Sequence, residues 1–282
     1  MQFVPIEFDQ KTLIEYSALF AACFPGTNRF TPEYIAWLYL QNPDGNAFGF
    51  DAREDGILAA HYVCIPAQAS IDGRSVRVLL SLNTATHPRF QGKGLFTKLA
   101  RLTYEAAATA GFEGIYGVAN ANSTPGFIRK LEFQLVSPLD ALVGVGRIGA
   151  VNDRAQTNAF ERIWTPETLQ WRCRGPYNPV SARRRGDIWQ FYAPAFGHWG
   201  HAYAELALPS DIPLKTGNTP ASPLRLYLGL MPEDVKRSAG YVSIPQRLRP
   251  SPLNLIYRSL ASPGSQLDGK RINFSFLDFD AY

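Results

Sequence analysis

Residues 89–96 read Arg-Phe-Gln-Gly-Lys-Gly-Leu-Phe, with Gly92 and Gly94 two positions apart and Arg89, Lys93 and Lys98 supplying positive charge around them. Glycine reaches backbone conformations with positive φ, so successive amides can converge on one point and a ligand can come close. If a helix opens at Leu95, its first amides have no partner and carry a partial positive charge. Such a loop can hold a pyrophosphate or another anion. An ordinary strand-to-helix turn would need the same glycines, and the loop alone does not separate the two uses. Spacing excludes a Walker loop, because G-x-x-x-x-G-K-[ST] is missing.

Other residues carry possible chemistry with less support. His61 and His87 are the titratable groups nearest the loop in sequence. His87 precedes Pro88 and reads as a hydrogen-bonded structural residue. His61, in Ala-Ala-His-Tyr-Val-Cys, is a candidate general base whose geometry must decide. A second glycine stretch, Gly-Val-Gly-Arg-Ile-Gly at 144–149, fits the dinucleotide pattern letter for letter. That pattern counts only when a helix follows and an acid lies about twenty residues on. No helical stripe follows it, so a strand or linker is expected. His198 and His201 lie three apart without a third ligand, and no metal site is expected. Arg183, Arg184 and Arg185 read as a solvated turn, and Asp278 and Asp280 default to solvent.

These residues need a frame. Residues 76–87 form an apolar, β-branched run after the turn pair Asp72-Gly73, which predicts a buried strand. Leu95, Leu99, Leu102 and Ala106 recur at helical spacing until Gly111, which predicts a helix of about four turns. A short strand at 112–118 follows, then an asparagine-rich turn, a short helix and a strand over 119–136. In the second half, 188–193, 201–207 and 224–230 read as strands, 253–260 as a helix and 272–282 as an alternating strand. Thr31-Pro32-Glu33 with Trp37 is repeated as Thr165-Pro166-Glu167 with Trp171, and both stretches run on to Asn-Pro. Threonine caps and first-turn prolines explain part of this match. The shared tryptophan and Asn-Pro go further and point to a duplicated unit.

Composition sets the outer bounds. Of 282 residues, 46% are apolar and 18% charged, as in folded globular chains. A net charge of +4 suits an anionic ligand but is too small to argue for nucleic acid. No apolar run of about eighteen residues predicts a membrane span, and the start has no signal-peptide core. Cys23, Cys64 and Cys173 are scattered, as expected of reduced thiols in a cytoplasmic protein.

At Arg89, Gly92 and Gly94 the loop resembles the acyl-CoA signature of the GNAT acyltransferase superfamily, [QR]-x-x-G-x-[GA]. Asn120, Asn122, Ser123, Pro125, Phe127, Leu131 and Phe133 resemble its second signature, an asparagine turn followed by a short helix. The resemblance covers residues 3–136. It implies an α/β (α+β) fold of two GNAT-like units, each a mixed, mostly antiparallel sheet flanked by helices. Residues 1–150 would bind the acyl donor, and 151–282 would form a degenerate unit shaping the acceptor site. The second half has no G-x-G loop, and prolines occupy the 244–250 stretch. Acetyl-CoA is the implied donor. It would lie against the backbone of Thr84, Ala85 and Thr86 and the loop Arg89, Phe90, Gln91, Gly92, Lys93, Gly94, Leu95 and Phe96, with Asn120, Asn122 and Ser123 beyond.

The implied acceptor is a small amine, first an amino sugar, nucleotide-linked or lipid-linked, of surface-polysaccharide synthesis. A homodimer is the expected assembly. Two departures matter: the tyrosine that many GNAT enzymes use as general acid aligns with Ile128, and the usual glycine before the aromatic is Glu132. Some duplicated relatives use a chain-terminal carboxylate, which falls here on Tyr282. A FemABX-like aminoacyl transfer from charged tRNA and a non-catalytic CoA-binding or sensory module are the other readings.

Overall fold

The structure, a computed structural model, describes residues 1–149, 157–195, 197, 199–209, 212–214, 217, 222–235, 238–249 and 251–280. In chain order the first elements are β1 (Gln2–Pro5), α1 (Gln10–Cys23), α2 (Pro32–Leu40), β2 (Phe48–Glu54), β3 (Ile57–Ile71), β4 (Arg74–Thr86), α3 (Leu95–Thr109), β5 (Gly114–Asn120), α4 (Thr124–Leu131) and β6 (Gln134–Pro138). There follow β7 (Asp140–Val145), β8 (Phe160–Arg162), α5 (Pro166–Cys173), β9 (Ser181–Arg185), β10 (Ile188–Ala195), β11 (Gly200–Ala207), β12 (Leu224–Gly229), β13 (Tyr241–Ser243), β14 (Leu253–Ser259) and β15 (Ile272–Asn273). These elements divide into two compact units. One comprises Met1–Ala67, Val76–Leu135 and Ile256–Gln266, and the other Gln68–Ser75, Val136–Leu255 and Leu267–Tyr282.

In the first unit the strand order is β1-β2-β3-β4-β5-β14, with β6 beyond. β1, β2 and β3 pair antiparallel, whereas β4 and β5 are parallel. The long β3 and β4 are joined by Asp72 and Gly73, both at positive φ (47° and 82°), as a two-residue hairpin turn requires. α3 buries Leu95, Leu99, Ala100, Thr103, Tyr104 and Ala107, the stripe its spacing predicts. This stripe shares a core cluster with Tyr62, Cys64, Leu79, Ile115 and Phe127. Burial pushes the Cys64 thiol up to about 12, so it stays protonated and serves as packing rather than as a nucleophile.

The two Thr-Pro-Glu stretches each open a helix, α2 and α5. The Thr31 hydroxyl accepts from the Tyr34 amide at 3.2 Å, and the Thr165 hydroxyl accepts from the Thr168 amide at 3.3 Å. Trp37 and Trp171 are both buried. Each helix starts at its proline, where the missing N–H costs nothing.

The second unit carries its own sheet, ordered β13-β7-β12-β11-β10-β9. Its core gathers Leu142, Ile148, Tyr192, Tyr203, Tyr227 and Tyr241. Within it β11 and β12 are parallel, through His201↔Arg225 and Ala202↔Leu226. Residues 208–223 make up the connection between that parallel pair. Its sequence contains four prolines and a single glycine. Proline has no amide to offer an anion.

Four further expectations change. Residues 253–260 form β14 rather than a helix, because the apolar side chains of Leu255, Ile256 and Tyr257 are all buried in a strand placed between β5 and β6. Residues 272–282 do not form one strand. After the two residues of β15 the chain turns through a short 3-10 helix, Phe276–Asp278, capped by the Ser275 hydroxyl. Asp278 is buried rather than solvated: its carboxylate accepts from Trp164 Nε1 at 3.0 Å and from the Ser275 amide at 2.6 Å. Burial raises its pKa, against the opposing pull of those hydrogen bonds. The arginines 183–185 lie at the end of β9, and the turn itself is Gly186-Asp187.

Candidate functional site

β4 and β5 run together for four residue pairs, from Val78↔Gly114 to Ser81↔Gly117, and the ladder then stops. β4 continues to Thr86 and β5 to Asn120. The two parallel strands therefore separate, leaving the β5-facing edge of residues 82–86 without strand partners. At the break stands Asn83, with φ of 46°. Asparagine tolerates this left-handed conformation better than any β-branched neighbour would. This change of backbone conformation falls two residues past the last β4–β5 pair.

The glycine loop follows directly. Pro88–Phe90 is a short 3-10 turn, and His87 Nδ1 accepts from the Arg89 amide at 3.2 Å, so His87 is structural. Phe90 and Leu95 are buried and anchor the loop at both ends, while Arg89, Gln91, Gly92, Lys93 and Gly94 are exposed. Gly92 (φ 79°) and Gly94 (φ 72°) both take the left-handed conformation, and a Cβ built on either would meet no atom within 4 Å. The space above the loop is open. Gly94 caps α3 without a side-chain hydrogen bond, so the first helical amides point outward unsatisfied. Lys93 lies 3.5 Å from Glu54 and over the Phe90 ring at 4.9 Å. Positive side chains, a helix N-terminus and open glycine backbone thus meet at the mouth of the separated strands.

Thr84 and Thr86 are half-buried along this edge and Ala85 is buried. The carbonyl of Thr86 accepts from Cys23 Sγ at 3.3 Å and from Gln91 Nε2 at 3.4 Å, which ties the strand end to α1 and to the loop. Phe96 stands edge-on to Phe127 at 5.2 Å, and a Cβ on Gly126 would come within 3.1 Å of it, so glycine there lets α4 approach α3. On the β5 side, Asn120 Oδ1 accepts from the Asn122 and Ser123 amides, each at 3.0 Å, and the Ser123 hydroxyl accepts from the Asn120 amide at 3.1 Å. The asparagine turn is thus a self-satisfied cap that starts α4. Ile128 packs against the core cluster. Glu132, at the aligned glycine position, adopts φ of 58° and so carries the strain a glycine would avoid.

The structure places His61 away from any open surface. Its ring has no exposed area. Nδ1 is 2.7 Å from Asp51 Oδ1, and Nε2 is 3.1 Å from the Tyr39 hydroxyl. The other Asp51 oxygen accepts from the Tyr16 hydroxyl at 2.9 Å. All four side chains are buried, so His61 has no direct path to an amine arriving from solvent. Asp51, Tyr39 and Tyr16 were not legible as its partners, because they come from three separate elements. Asn83 is the residue at the strand break that spacing alone did not single out.

Tyr282 lies outside the described residues, as does His198. Among the described residues no cluster of three or more potential metal ligands occurs. The 144–149 stretch ends β7, which pairs antiparallel with β12 and β13, and no helix occurs in residues 146–149. A parallel strand leading into a helix, as a dinucleotide fold demands, is not what it builds. A cavity of about 320 Å3, lined by Glu132, Phe133, Tyr257, Arg258 and Ser259 among others, lies near the start of β5, at the other end of that strand from the break.

Residues 6–136 match a family model described as an acetyltransferase (GNAT) domain. No curated protein shows significant sequence similarity to the chain. Among solved structures, a conserved protein of Enterococcus faecalis V583 described as a probable N-acyltransferase superposes with a TM-score of 0.58 at 11% identity, over 93% of this chain and 73% of that one. Eis1 from Mycobacterium abscessus gives 0.58 at 12% identity, over 92% and 74%. A GCN5-related N-acetyltransferase from Anabaena variabilis ATCC 29413 gives 0.60 at 10% identity, over 92% and 73%. At such identities the likeness is one of fold, and the two sheet-bearing units fit a tandem arrangement.

Proposed function

From a chain whose residues 6–136 match a GNAT acetyltransferase domain model, we propose an enzyme that transfers an acetyl group from acetyl-CoA to the amine of a small molecule. The observation that carries this reading is the separation of β4 from β5 beyond Ser81↔Gly117, opening directly onto an uncapped α3 N-terminus with two open glycines. The residues fit the donor. The amides of Gly92, Lys93, Gly94, Leu95 and Phe96 suit its pyrophosphate, Arg89 and Lys93 suit its charge, and residues 84–86 offer strand edge to an extended amide-bearing arm. Bound there, acetyl-CoA supplies an electrophilic thioester carbonyl.

The chain's own part is positioning and polarisation. The strand edge holds the arm extended, and the amides of Thr84 and Thr86, which alternate with the His87 amide bonded to Ala59 on the β3 side, present donors toward the gap. Asn120, Asn122 and Ser123 fix the opposite wall by starting α4 where it does. With Ile128 at the family tyrosine position, no aligned side chain donates a proton to the leaving sulfur. For His61, enclosure in the Asp51–Tyr39 network supports a positioning role.

For the acceptor we propose an amino sugar of surface-polysaccharide synthesis, on a nucleotide or lipid carrier, drawn from the Trp…Asn-Pro openings at residues 37–43 and 171–179. Residues 1–150 would hold the donor and 151–282 shape the acceptor site. Cytoplasmic location and a homodimer complete the reading, and no described helix is long and apolar enough to cross a membrane.

Calorimetry with acetyl-CoA tests the donor site. Wild type should bind it, and Gly92→Glu or Gly94→Glu should abolish binding by setting a carboxylate in the cradle, at a cost of about 1–2 kcal/mol in left-handed backbone strain but with no steric clash; far-UV circular dichroism checks that each variant is folded. A folded wild type that ignores acetyl-CoA would overturn the reading. Turnover with a panel of amino sugars and other amines then identifies the acceptor, and binding without turnover of any amine would favour the non-catalytic module.

A further inference from the structure

We propose that the cavity beside β14 is a second small-molecule site, separate from the donor gap, and that it takes an α-amino acid by its zwitterion. The cavity forms where the residues after α4, Glu132 and Phe133, meet the end of β14, Tyr257 and Arg258, and the chain that follows. Every lining residue belongs to the first unit. Its volume of about 320 Å3 is at the small end of the range for ligand pockets, which suits one compact molecule. Phe133 and Tyr257 are buried and give it an apolar wall. Glu132, Ser265 and Gln266 are exposed, so a ligand can enter from solvent.

One ion pair sets the chemistry of this cavity. Arg258 Nη2 lies 3.1 Å from Glu132 Oε2. Arg258 is also fixed on two other sides: Nη1 donates to the Leu131 carbonyl, and the guanidinium carbon lies 5.5 Å from the centre of the Tyr104 ring. Glu132 is by contrast open to water, with 77% of its side chain exposed. A pair exposed to that degree contributes little, so Glu132 can swing aside while Arg258 stays in place. The cavity then offers a fixed cation and, beside it, an adjustable anion. A simple anion would be drawn to Arg258 and repelled by Glu132, and a simple cation the reverse. An α-amino acid carries its carboxylate and ammonium on one carbon and meets both, with the planar fork of Arg258 matched to the carboxylate. Gln134, Ser259, Ser265 and Gln266 complete the lining with uncharged donors and acceptors, which suit a neutral polar side chain.

Thermal unfolding of the full chain with L-glutamine, L-asparagine, L-serine and L-threonine at about 10 mM tests the site, because a ligand of the folded state raises the midpoint. At least one of the four should do so. Calorimetry with that amino acid should give a Kd unchanged by saturating acetyl-CoA, since the cavity lies at the other end of β5 from the strand break. Its primary amide and its N-acetyl derivative each lack one charge, and each should bind about 10-fold more weakly or worse. Glu132→Gln, at an exposed position, should fold as wild type does. It should weaken the free amino acid to the same extent and leave the N-acetyl derivative unaffected, because that derivative has no ammonium for Glu132 to meet. Arg258→Gln should abolish binding, and if it fails to fold, Glu132→Gln carries the test. No midpoint shift with any of the four overturns the assignment. So does a binder that acetyl-CoA displaces, or one indifferent to Glu132→Gln. None of these outcomes touches acetyl transfer, which the acetyl-CoA titration tests by itself.

Discussion

His61 shows how residue chemistry depends on enclosure. On sequence it is an isolated histidine in an apolar strand. In the fold, Asp51 and Tyr39 occupy its two nitrogens, and Tyr16 holds the second Asp51 oxygen. Removing the imidazole would leave a buried carboxylate short of a partner and open a cavity. His61→Ala should therefore destabilise the protein by about 3 kcal/mol or more, read as a lower urea midpoint. The fraction that still folds should retain acetyl-CoA binding and most of its kcat. A folded His61→Ala protein that binds donor but has lost turnover would instead make His61 a proton carrier acting through Tyr39.

Among the elements, the two Thr-Pro-Glu helices carry the clearest local physics. Each threonine satisfies an amide that the helix cannot, and each proline stands where no amide is needed. Thr31→Ala and Thr165→Ala should each cost about 1 kcal/mol in thermal or urea unfolding. Near equality of the two would follow from their shared cap geometry. A negligible loss at both positions would mean that the buried Trp37 and Trp171, rather than the caps, hold these helices. The α3 N-terminus is built the other way: its cap residue, Gly94, makes no side-chain bond. An element that leaves its donors open at one end, while Leu99 and its neighbours bury the rest, gives up local stability at the end where we propose the anion site.

Across the whole molecule, chain order and compact units do not coincide. Ile256–Gln266 belongs to the first unit, although more than a hundred residues separate it from Leu135. β14 fills the place between β5 and β6, with Ile256 in the core cluster and the Tyr257 ring close against Gly114. A chain ended at residue 150 would expose the β5 edge and the apolar surface that Ile256 covers. It should therefore show no cooperative unfolding transition and should bind the apolar dye ANS, although the whole family-matched region is present. A cooperative transition in that fragment would show that β14 is dispensable to the first unit.

Much of the local geometry of the proposed donor site was legible from the sequence, because its determinants are local. Glycines at positive φ, a helix opened without a cap, a turn made by Asp72-Gly73 and a cap made by Asn120 and Ser123 all act between residues a few positions apart. The strands 76–87 and 112–118 and the helix between them appeared where periodicity put them. Tertiary structure decided what depends on distant partners. An apolar run at 253–260 became a strand because the sheet had a place for it between β5 and β6. The aspartate at 278 was drawn inside by Trp164, more than a hundred residues away. The length of the β4–β5 ladder, and so the position of Asn83 at its end, is set by how two strands part in space. Periodicity records which face of a strand is buried, and it is silent on where its neighbour leaves it.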